Sequence, residues 1–228
     1  MRLARCLLAF ALGYLCGSFP SGVLIGRWRG VDVRRYGSGR TGATNVLRTI
    51  GPRLAGLVAL VDIIKGALPV FLARHVLFPH EPWAEPAAGM GAVVGHTHSV
   101  FLKFRGGRGV LTTGGAMLPM NPFVPWLALI AAAIPIALTR FISLGSMIGV
   151  ATQAALELTL ALRKRASWPH FAYALASAVF VIAEHYDNIQ RLLAGTERKV
   201  GEKVVMPPDA PQATLISSGN PSLPAQVR

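Results

Sequence analysis

The chain has 228 residues, of which 52% are hydrophobic and only 14% are charged. This excludes a disordered chain, which needs low hydrophobicity and high charge, and leaves too little polar surface for an ordinary soluble globule. The formal net charge of +13 suits a nucleic-acid binder or a membrane protein with basic loops, and the positions of the charges decide between them.

The first apolar segment, Cys6–Gly26, carries no charge and follows Arg2 and Arg5. It is too long for a signal-peptide core and lacks a clean small-residue cleavage site, so it predicts a first membrane helix. The run Gly17-Ser-Phe-Pro20 should break or bend it. Cys6 and Cys16 lie inside this segment without zinc or disulfide spacing. Leu54–Phe78 predicts the second span, with Asp62 and Lys65 inside it, and Pro86–Leu102 the third, with His96 and His98 near its end. Gly109–Thr139 is uncharged throughout. As one helix it would run about 46 Å, against a bilayer core of about 30 Å. Pro119, Pro122 and Pro125 therefore mark a reversal between a short fourth helix and a fifth. Ser143–Leu162 and Trp168–Ala183 complete seven spans. The expectation is an all-α integral membrane protein with a single transmembrane domain over residues 1–206. Pro207–Arg228, rich in Pro, Ser, Gly and Gln, predicts a flexible C-terminal tail.

Seven spans place the two ends on opposite sides. With the N-terminus outside and the C-terminus in the cytosol, Arg27–Arg53, Lys103–Gly109, Arg140 and the C-terminal segment lie inside. They hold most of the Lys and Arg, as the positive-inside rule requires. Arg163–Arg165, Arg2 and Arg5 run against it. The basic residues sit in short loops, and no stripe of cations interleaved with aromatics is visible, so a nucleic-acid partner is not expected.

Three inside segments carry candidate chemistry. Gly37 to Gly42 fits G-x-G-x-x-G, but no strand precedes it, so a dinucleotide fold is excluded. Glycines still let backbone N–H groups approach an anion. Ser38, Thr41 and Asn45 add donors, and Arg48 adds a planar fork suited to phosphate. The alternative is a surface loop whose arginines face lipid headgroups. The second segment, Lys103-Phe-Arg-Gly-Gly-Arg-Gly109, is a glycine turn that opens onto a helix N-terminus, which favours anions. Gly106, Gly107, Arg108 and Gly109 are its candidates, against the alternative of a tight interhelical turn. In the third segment, Glu184–Glu197, a helix would put His185 and Asn188 on one face. His185 suits donating a hydrogen bond to a phosphate or acid–base work, although a histidine at a helix end is also a common capping or interface residue. Asp62 and Lys65 form either a functional intramembrane pair or a neutralised tie between helices. His96 and His98 hint at a metal, but no third ligand is evident, so no metal is expected.

Taken together and in this order, the segments resemble the acyl-phosphate:glycerol-3-phosphate acyltransferase family of bacterial membrane enzymes. The likeness rests on Gly-Ser-Phe-Pro-Ser-Gly at 17–22 with Gly-Ser-Gly-Arg-Thr-Gly-Ala-Thr-Asn-Val-Leu-Arg at 37–48. It continues with Gly95-His96 and Phe-Leu-Lys-Phe-Arg-Gly-Gly-Arg-Gly at 101–109. It ends with His185-x-x-Asn188-Ile-x-Arg-Leu and Gly195-Thr-Glu197. The resemblance implies seven helices in the inner membrane, a site facing the cytosol, and no cofactor. It implies acyl phosphate as donor, glycerol 3-phosphate as acceptor, membrane lipid as surroundings, and functional coupling to the enzyme that makes acyl phosphate. The phosphate-binding positions would be Ser38, Arg48, Arg108 and a serine opening the sixth span, Ser143, while His185 and Asn188 would hold the acceptor. Four positions depart from the family pattern: Arg40 stands where Asn is usual, Ser99 where Pro is usual, Arg108 where Lys is usual, and Glu184 where Arg is usual.

The chain lacks an H-x4-D pair and a G-x-S-x-G elbow. An acyl phosphate is already activated, so the reading is direct transfer without an acyl-enzyme, the hydroxyl proton passing to His185 or to a phosphate oxygen of a substrate. The alternative is a small transporter or flippase for a phosphorylated metabolite or lipid, which broken spans and an intramembrane ion pair would suit.

Overall fold

The computed structural model describes residues 1–202, so the expected tail, Pro207–Arg228, lies outside the described residues. Within them the regular structure is helical: α1 (Arg2–Gly17), α2 (Ser21–Trp28), α3 (Ala43–Thr49), α4 (Pro52–Leu72), α5 (Ala84–Thr97), α6 (Val110–Met120), α7 (Phe123–Thr139), α8 (Ile142–Leu162), α9 (Trp168–Ala183) and α10 (Tyr186–Leu193). Three helical stretches are long and apolar enough to cross a membrane: Arg2–Trp28, Pro52–Leu77 and Ile142–Leu162. α6, α7 and α9 are shorter apolar helices.

Local chemistry explains the boundaries. α1 ends at Gly17 and α2 begins at Ser21, because Pro20 has no N–H to continue the ladder. Pro52 starts α4 at a position where its missing N–H is harmless. Pro122 separates α6 from α7, as the expected reversal requires. The Ser167 side chain accepts from the His170 N–H at 3.3 Å and caps α9. Two expectations need correction. The third span ends at Thr97 rather than Leu102, with Val100–Leu102 forming a separate 3-10 turn. The first inside loop is not all loop, since Ala43–Thr49 forms α3.

α1 packs along α5, α4 along α6, and α8 against both α7 and α9. The α1–α5 contact is made by glycines four apart on both helices. A Cβ at Gly13 would sit 2.0 Å from the Ala88 carbonyl oxygen, and one at Gly17 would sit 2.1 Å from that of Ala92. Conversely, a Cβ at Gly91 would sit 2.1 Å from the Phe10 oxygen, and one at Gly95 would sit 2.2 Å from that of Tyr14. Small residues let two backbones touch, which is how helices gain contact where no hydrophobic effect drives them together. The main core runs through Ala88, Val93, Met117, Tyr173 and Val181. Tyr173 is buried there with its hydroxyl donating to the Thr113 carbonyl at 2.9 Å. A second cluster, with Val23, Val33, Val46 and Val58, joins α2, α3 and α4 to the segment between α2 and α3.

Replacing Gly91 by Ile is expected to destabilise the protein by at least about 1–3 kcal/mol, the usual penalty of overpacking. In detergent this should appear as a fall of about 5 °C or more in the thermal midpoint. Gly56→Ala, at an exposed helical glycine with nothing within 4 Å of the added carbon, should leave the midpoint unchanged. Equal behaviour of the two variants would show that the α1–α5 contact is not close-packed.

Candidate active site

A cavity of about 340 Å³ opens among the segment that joins α2 to α3, the start of α6, and helices α4, α7, α8 and α10. Its polar end is lined by Ser38, Arg40, Arg48, Arg108, Ser143, His185, Asn188 and Glu197. Its apolar end runs between α4, α6, α7 and α8, past Ile63, Leu111, Leu118, Leu129 and Ile136.

The first loop is organised by Asn45. Its side-chain oxygen accepts from the Ser38 N–H at 2.9 Å, and its NH₂ donates to the carbonyls of Val33 (2.7 Å), Arg40 (2.8 Å) and Tyr36 (3.2 Å). The amide is therefore already used and holds the loop in shape, rather than being a free phosphate donor as the residue type suggests. Thr41 is a second correction: it is buried, does not line the cavity, and its carbonyl lies where a Cβ of Gly22 would fall. Ser38 and Arg48 do line the cavity. Arg48 donates one Nη2 bond to the Arg198 carbonyl at 3.2 Å, while its buried Nε has no partner among the described residues. Burial pushes the Arg48 guanidinium below its ordinary pKa, with the neighbouring Arg198 charge adding to this; an arginine nonetheless stays charged.

The glycine turn has a different role from the expected anion cradle. The Gly106 N–H bonds the Thr97 carbonyl at 2.8 Å, and the Gly107 N–H bonds the His96 carbonyl at 3.1 Å. Neither donor is free, and neither glycine lines the cavity. They are glycines because they pack onto His96: a Cβ at Gly106 would lie 2.0 Å from its carbonyl oxygen, and one at Gly107 would lie 2.1 Å from Nε2. Gly109 takes a left-handed conformation (φ 82°) and opens α6, a backbone that favours glycine. The first N–H groups of a helix have no partner within it, and those of α6 begin at Val110 and Leu111, which line the cavity together with Gly109. Arg108 is mostly buried and donates to Asp187 at 3.1 Å, with its Nε unpartnered among the described residues.

The third segment closes the polar end. His185 is buried, and its Nδ1 lies 2.7 Å from the Val181 carbonyl. A carbonyl only accepts, so Nδ1 carries the proton and Nε2 is left as an acceptor. Burial, reinforced by the charges of Arg108 and Arg40, lowers the imidazole pKa to about 4. Asn188 donates from Nδ2 to Glu197 Oε1 at 2.7 Å, and its buried Oδ1 has no partner among the described residues. Glu197 also accepts from Ser143 Oγ (2.9 Å) and Arg191 Nε (2.8 Å). The candidate residues do not assign this carboxylate a role. It ties α8 to α10 and aims both Ser143 and Asn188.

Two of the departures from the family pattern meet in space. Arg40 Nη1 lies 3.2 Å from Glu184 Oε2, so the arginine and the acid form a pair. A third departure, Ser99, is buried and donates to the Ser18 carbonyl at 2.6 Å, tying the end of α5 to the break after α1. Asp62 and Lys65 pair within α4 at 2.9 Å. Ser21 donates to Asp62 at 2.7 Å, and Lys65 to the Phe19 carbonyl at 3.0 Å, so the pair ties α4 to the α1–α2 break. His96 lies against Asp62 and His98 against Glu184, so the two histidines serve different neighbours.

The chain is similar to known proteins over most of its length. Residues 7–195 match the family described as glycerol-3-phosphate acyltransferase. A glycerol-3-phosphate acyltransferase from Symbiobacterium thermophilum is 44% identical over 192 residues, covering 84% of this chain and 93% of that one. Glycerol-3-phosphate acyltransferase 1 of Deinococcus radiodurans is 45% identical over 198 residues, covering 87% and 97%. The crystal structure of PlsY (YgiH), an integral membrane glycerol 3-phosphate acyltransferase in its glycerol 3-phosphate form, superposes with a TM-score of 0.78 at 31% identity, covering 86% of this chain and 96% of that one. A lysophosphatidic acid form of PlsY gives 0.76 at 30% identity, covering 86% and 95%. With its helices, its cavity and the three segments around it accounted for, this chain belongs to the glycerol-3-phosphate acyltransferase family of integral membrane proteins.

Proposed function

We propose that this protein transfers an acyl chain from acyl phosphate to the 1-hydroxyl of glycerol 3-phosphate, giving lysophosphatidic acid and phosphate. One observation carries the reading. Arg48 Nε, Arg108 Nε and Asn188 Oδ1 are buried polar atoms without partners among the described residues, and all three belong to residues lining one cavity. Buried polar atoms are nearly always paired, so two cationic donors and one acceptor left without partners on residues around one cavity suit a ligand with phosphate and hydroxyl groups. The apolar end of the cavity then suits an acyl chain. The related PlsY structures are a glycerol 3-phosphate form and a lysophosphatidic acid form, which fit the acceptor and the product of this reaction.

In this reading Ser38, Arg48, Arg108, Ser143 and the α6 N-terminus hold the two phosphate groups. His185 Nε2 and Asn188 Oδ1 accept hydrogen bonds from acceptor hydroxyls and orient one toward the acyl carbonyl, the positioning that makes two bound reactants effectively unimolecular. The hydroxyl oxygen forms the ester bond as the acyl–phosphate bond breaks. With a pKa of about 4, His185 is a poor proton acceptor. The departing phosphate, freed with an extra negative charge, is the better one, and it leaves as hydrogen phosphate. No acyl-enzyme is needed, since the donor brings its own leaving group.

The same reading takes the chain as a seven-span protein of the bacterial inner membrane, with the N-terminus outside and the site on the cytosolic face. The described residues form one transmembrane domain in it, and acyl phosphate comes from a coupled enzyme.

The test is to supply purified protein with glycerol 3-phosphate and palmitoyl phosphate and to measure lysophosphatidic acid and phosphate, expected in equal amounts. A transporter would give neither, and a covalent acyl-protein trapped in a single turnover would sink direct transfer. Ser38→Ala, Arg48→Ala and Arg108→Ala should each lower turnover about 10–100-fold, the effect of losing a charge-assisted hydrogen bond, while the protein still inserts. Unchanged turnover and acceptor affinity in either arginine variant would place the phosphates elsewhere.

The His185 ionisation gives a further test. A lowered folded pKa means that the native state binds fewer protons than the unfolded state. The stability it contributes is therefore complete above 6.5 and lost as pH falls toward about 4. In ¹³C-histidine NMR of the substrate-free protein, His185 should remain neutral at pH 5.5 and titrate near 4. A midpoint near 6.5 would overturn the buried neutral tautomer.

A further inference from the structure

Arg40 lines the polar end of the cavity but has no part in the phosphate contacts assigned above. Its guanidinium is held from one side by Glu184, whose Oε2 lies 3.2 Å from Nη1. Its other terminal nitrogen, Nη2, faces Asp187 Oδ1 at 4.0 Å. The second oxygen of that same carboxylate, Oδ2, lies 3.1 Å from Arg108 Nη2 and 3.8 Å from Arg191 Nη1. One carboxylate thus bridges Arg40 and Arg108, so the two forks stand one oxyanion apart.

We propose that Arg40 binds the phosphate of glycerol 3-phosphate, gripping it jointly with Arg108 in the place that Asp187 occupies in the free protein. The proposal rests on the functional reading above and adds a residue to its acceptor site. Three points favour it. The side chain of Asp187 is 48% exposed, whereas that of Arg108 is 15% exposed, so the acid is free to swing into water while the cation stays. A phosphate monoester carries about −1.5 to −2 charge and three acceptor oxygens, against a single charge and two oxygens on Asp187, and guanidinium forks match such an anion in pairs. Finally, the two acids that hold Arg40, Glu184 and Asp187, bracket His185 in the chain. This anchors the guanidinium beside the imidazole assigned to the acceptor. Arg48, by contrast, is tied to the Arg198 carbonyl.

A simple latch between the first and third segments would make Arg40 and Glu184 equivalent; a ligand role does not. The experiment measures steady-state kinetics of Arg40→Gln, Arg40→Lys and Glu184→Gln in the purified full chain, varying each substrate in turn. Arg40→Gln should raise KM for glycerol 3-phosphate about tenfold, the effect of one charge-assisted hydrogen bond. Its kcat and its KM for palmitoyl phosphate should stay within about twofold. Arg40→Lys should recover part of the loss, since the point charge returns without the fork. Glu184→Gln, which leaves the guanidinium in place, should keep KM for glycerol 3-phosphate at or below the wild-type value. The proposal is overturned by equal effects of Arg40→Gln and Glu184→Gln, by an unchanged acceptor KM in Arg40→Gln, or by a rise confined to palmitoyl phosphate. The wild-type enzyme, run in parallel, separates the two levels: if it turns over, these outcomes count against Arg40 alone, and if it makes no product the functional reading falls with the proposal.

Discussion

Backbone contact between helices is the constraint on which the site depends. Because Gly13 and Gly17 meet Ala88 and Ala92, and Gly91 and Gly95 meet Phe10 and Tyr14, α1 and α5 lie closer than side chains would allow. That closeness brings the break after α1 within reach of the chain leaving α5, where Ser99 bonds the Ser18 carbonyl. The turn that follows then folds back on His96, with Gly106 and Gly107 giving their N–H groups to the Thr97 and His96 carbonyls. The same turn delivers Arg108 and the first N–H groups of α6 to the cavity. A glycine at 107 is thus needed for position rather than for anion contact. Four small residues in the membrane set where a cation sits at its edge.

The electrostatics of the polar end are not simply positive. Glu197 is buried among Arg48, Arg191, Ser143 and Asn188. An acid near bound phosphates would repel them, so its presence calls for a compensating benefit. It accepts from three donors, Ser143, Asn188 and Arg191, the additional hydrogen bonding that a buried charge requires. In exchange it fixes the amide of Asn188 through its NH₂, leaving the oxygen without a partner among the described residues, and it holds the Ser143 hydroxyl. Asp187 works differently. Burial opposes its ionisation, but its own backbone N–H and the charges of Arg108, Arg40 and Arg191 hold its carboxyl below the usual carboxylate range. One acid is structural and buried; the other is half exposed and stands where a stronger anion could replace it.

Much of this is legible in the sequence, for physical reasons that also mark the limits. Spans follow from the absence of charge, and the break at Gly17–Pro20 and the reversal at Pro122 follow from proline's missing donor. The end of α5 does not, because apolar residues continue through Val100–Leu102 after the helix has stopped. α3 hides in a loop of glycine, threonine and arginine, a composition that reads as turn. Arg48, Arg108 and His185 announce themselves by chemistry. Thr41, Asn45, Gly106 and Gly107 mislead, since their donors are taken or turned away by contacts that residue type cannot reveal. Glu197 goes unassigned because an acid is the last residue that a phosphate site suggests. The meeting of Arg40 with Glu184 spans 144 positions, a separation over which residue type and spacing carry no sign of contact.

The surplus of positive charge can then be divided by function. Some cations lie at helix ends away from the cavity lining, as Arg27 and Arg29 at the end of α2 and Arg53 at the start of α4 do, positions of the kind that bias orientation in a membrane. Arg40, Arg48 and Arg108 are different, because each lines the cavity and each is tied to a partner by part of its guanidinium only. A fully paired arginine would be neutralised and inert, and an unpaired one would be disordered by its own flexibility. Partial pairing leaves the fork ordered and still short of acceptors. That state suits the reading proposed above, in which phosphate groups are held at the polar end of a cavity that continues into an apolar groove.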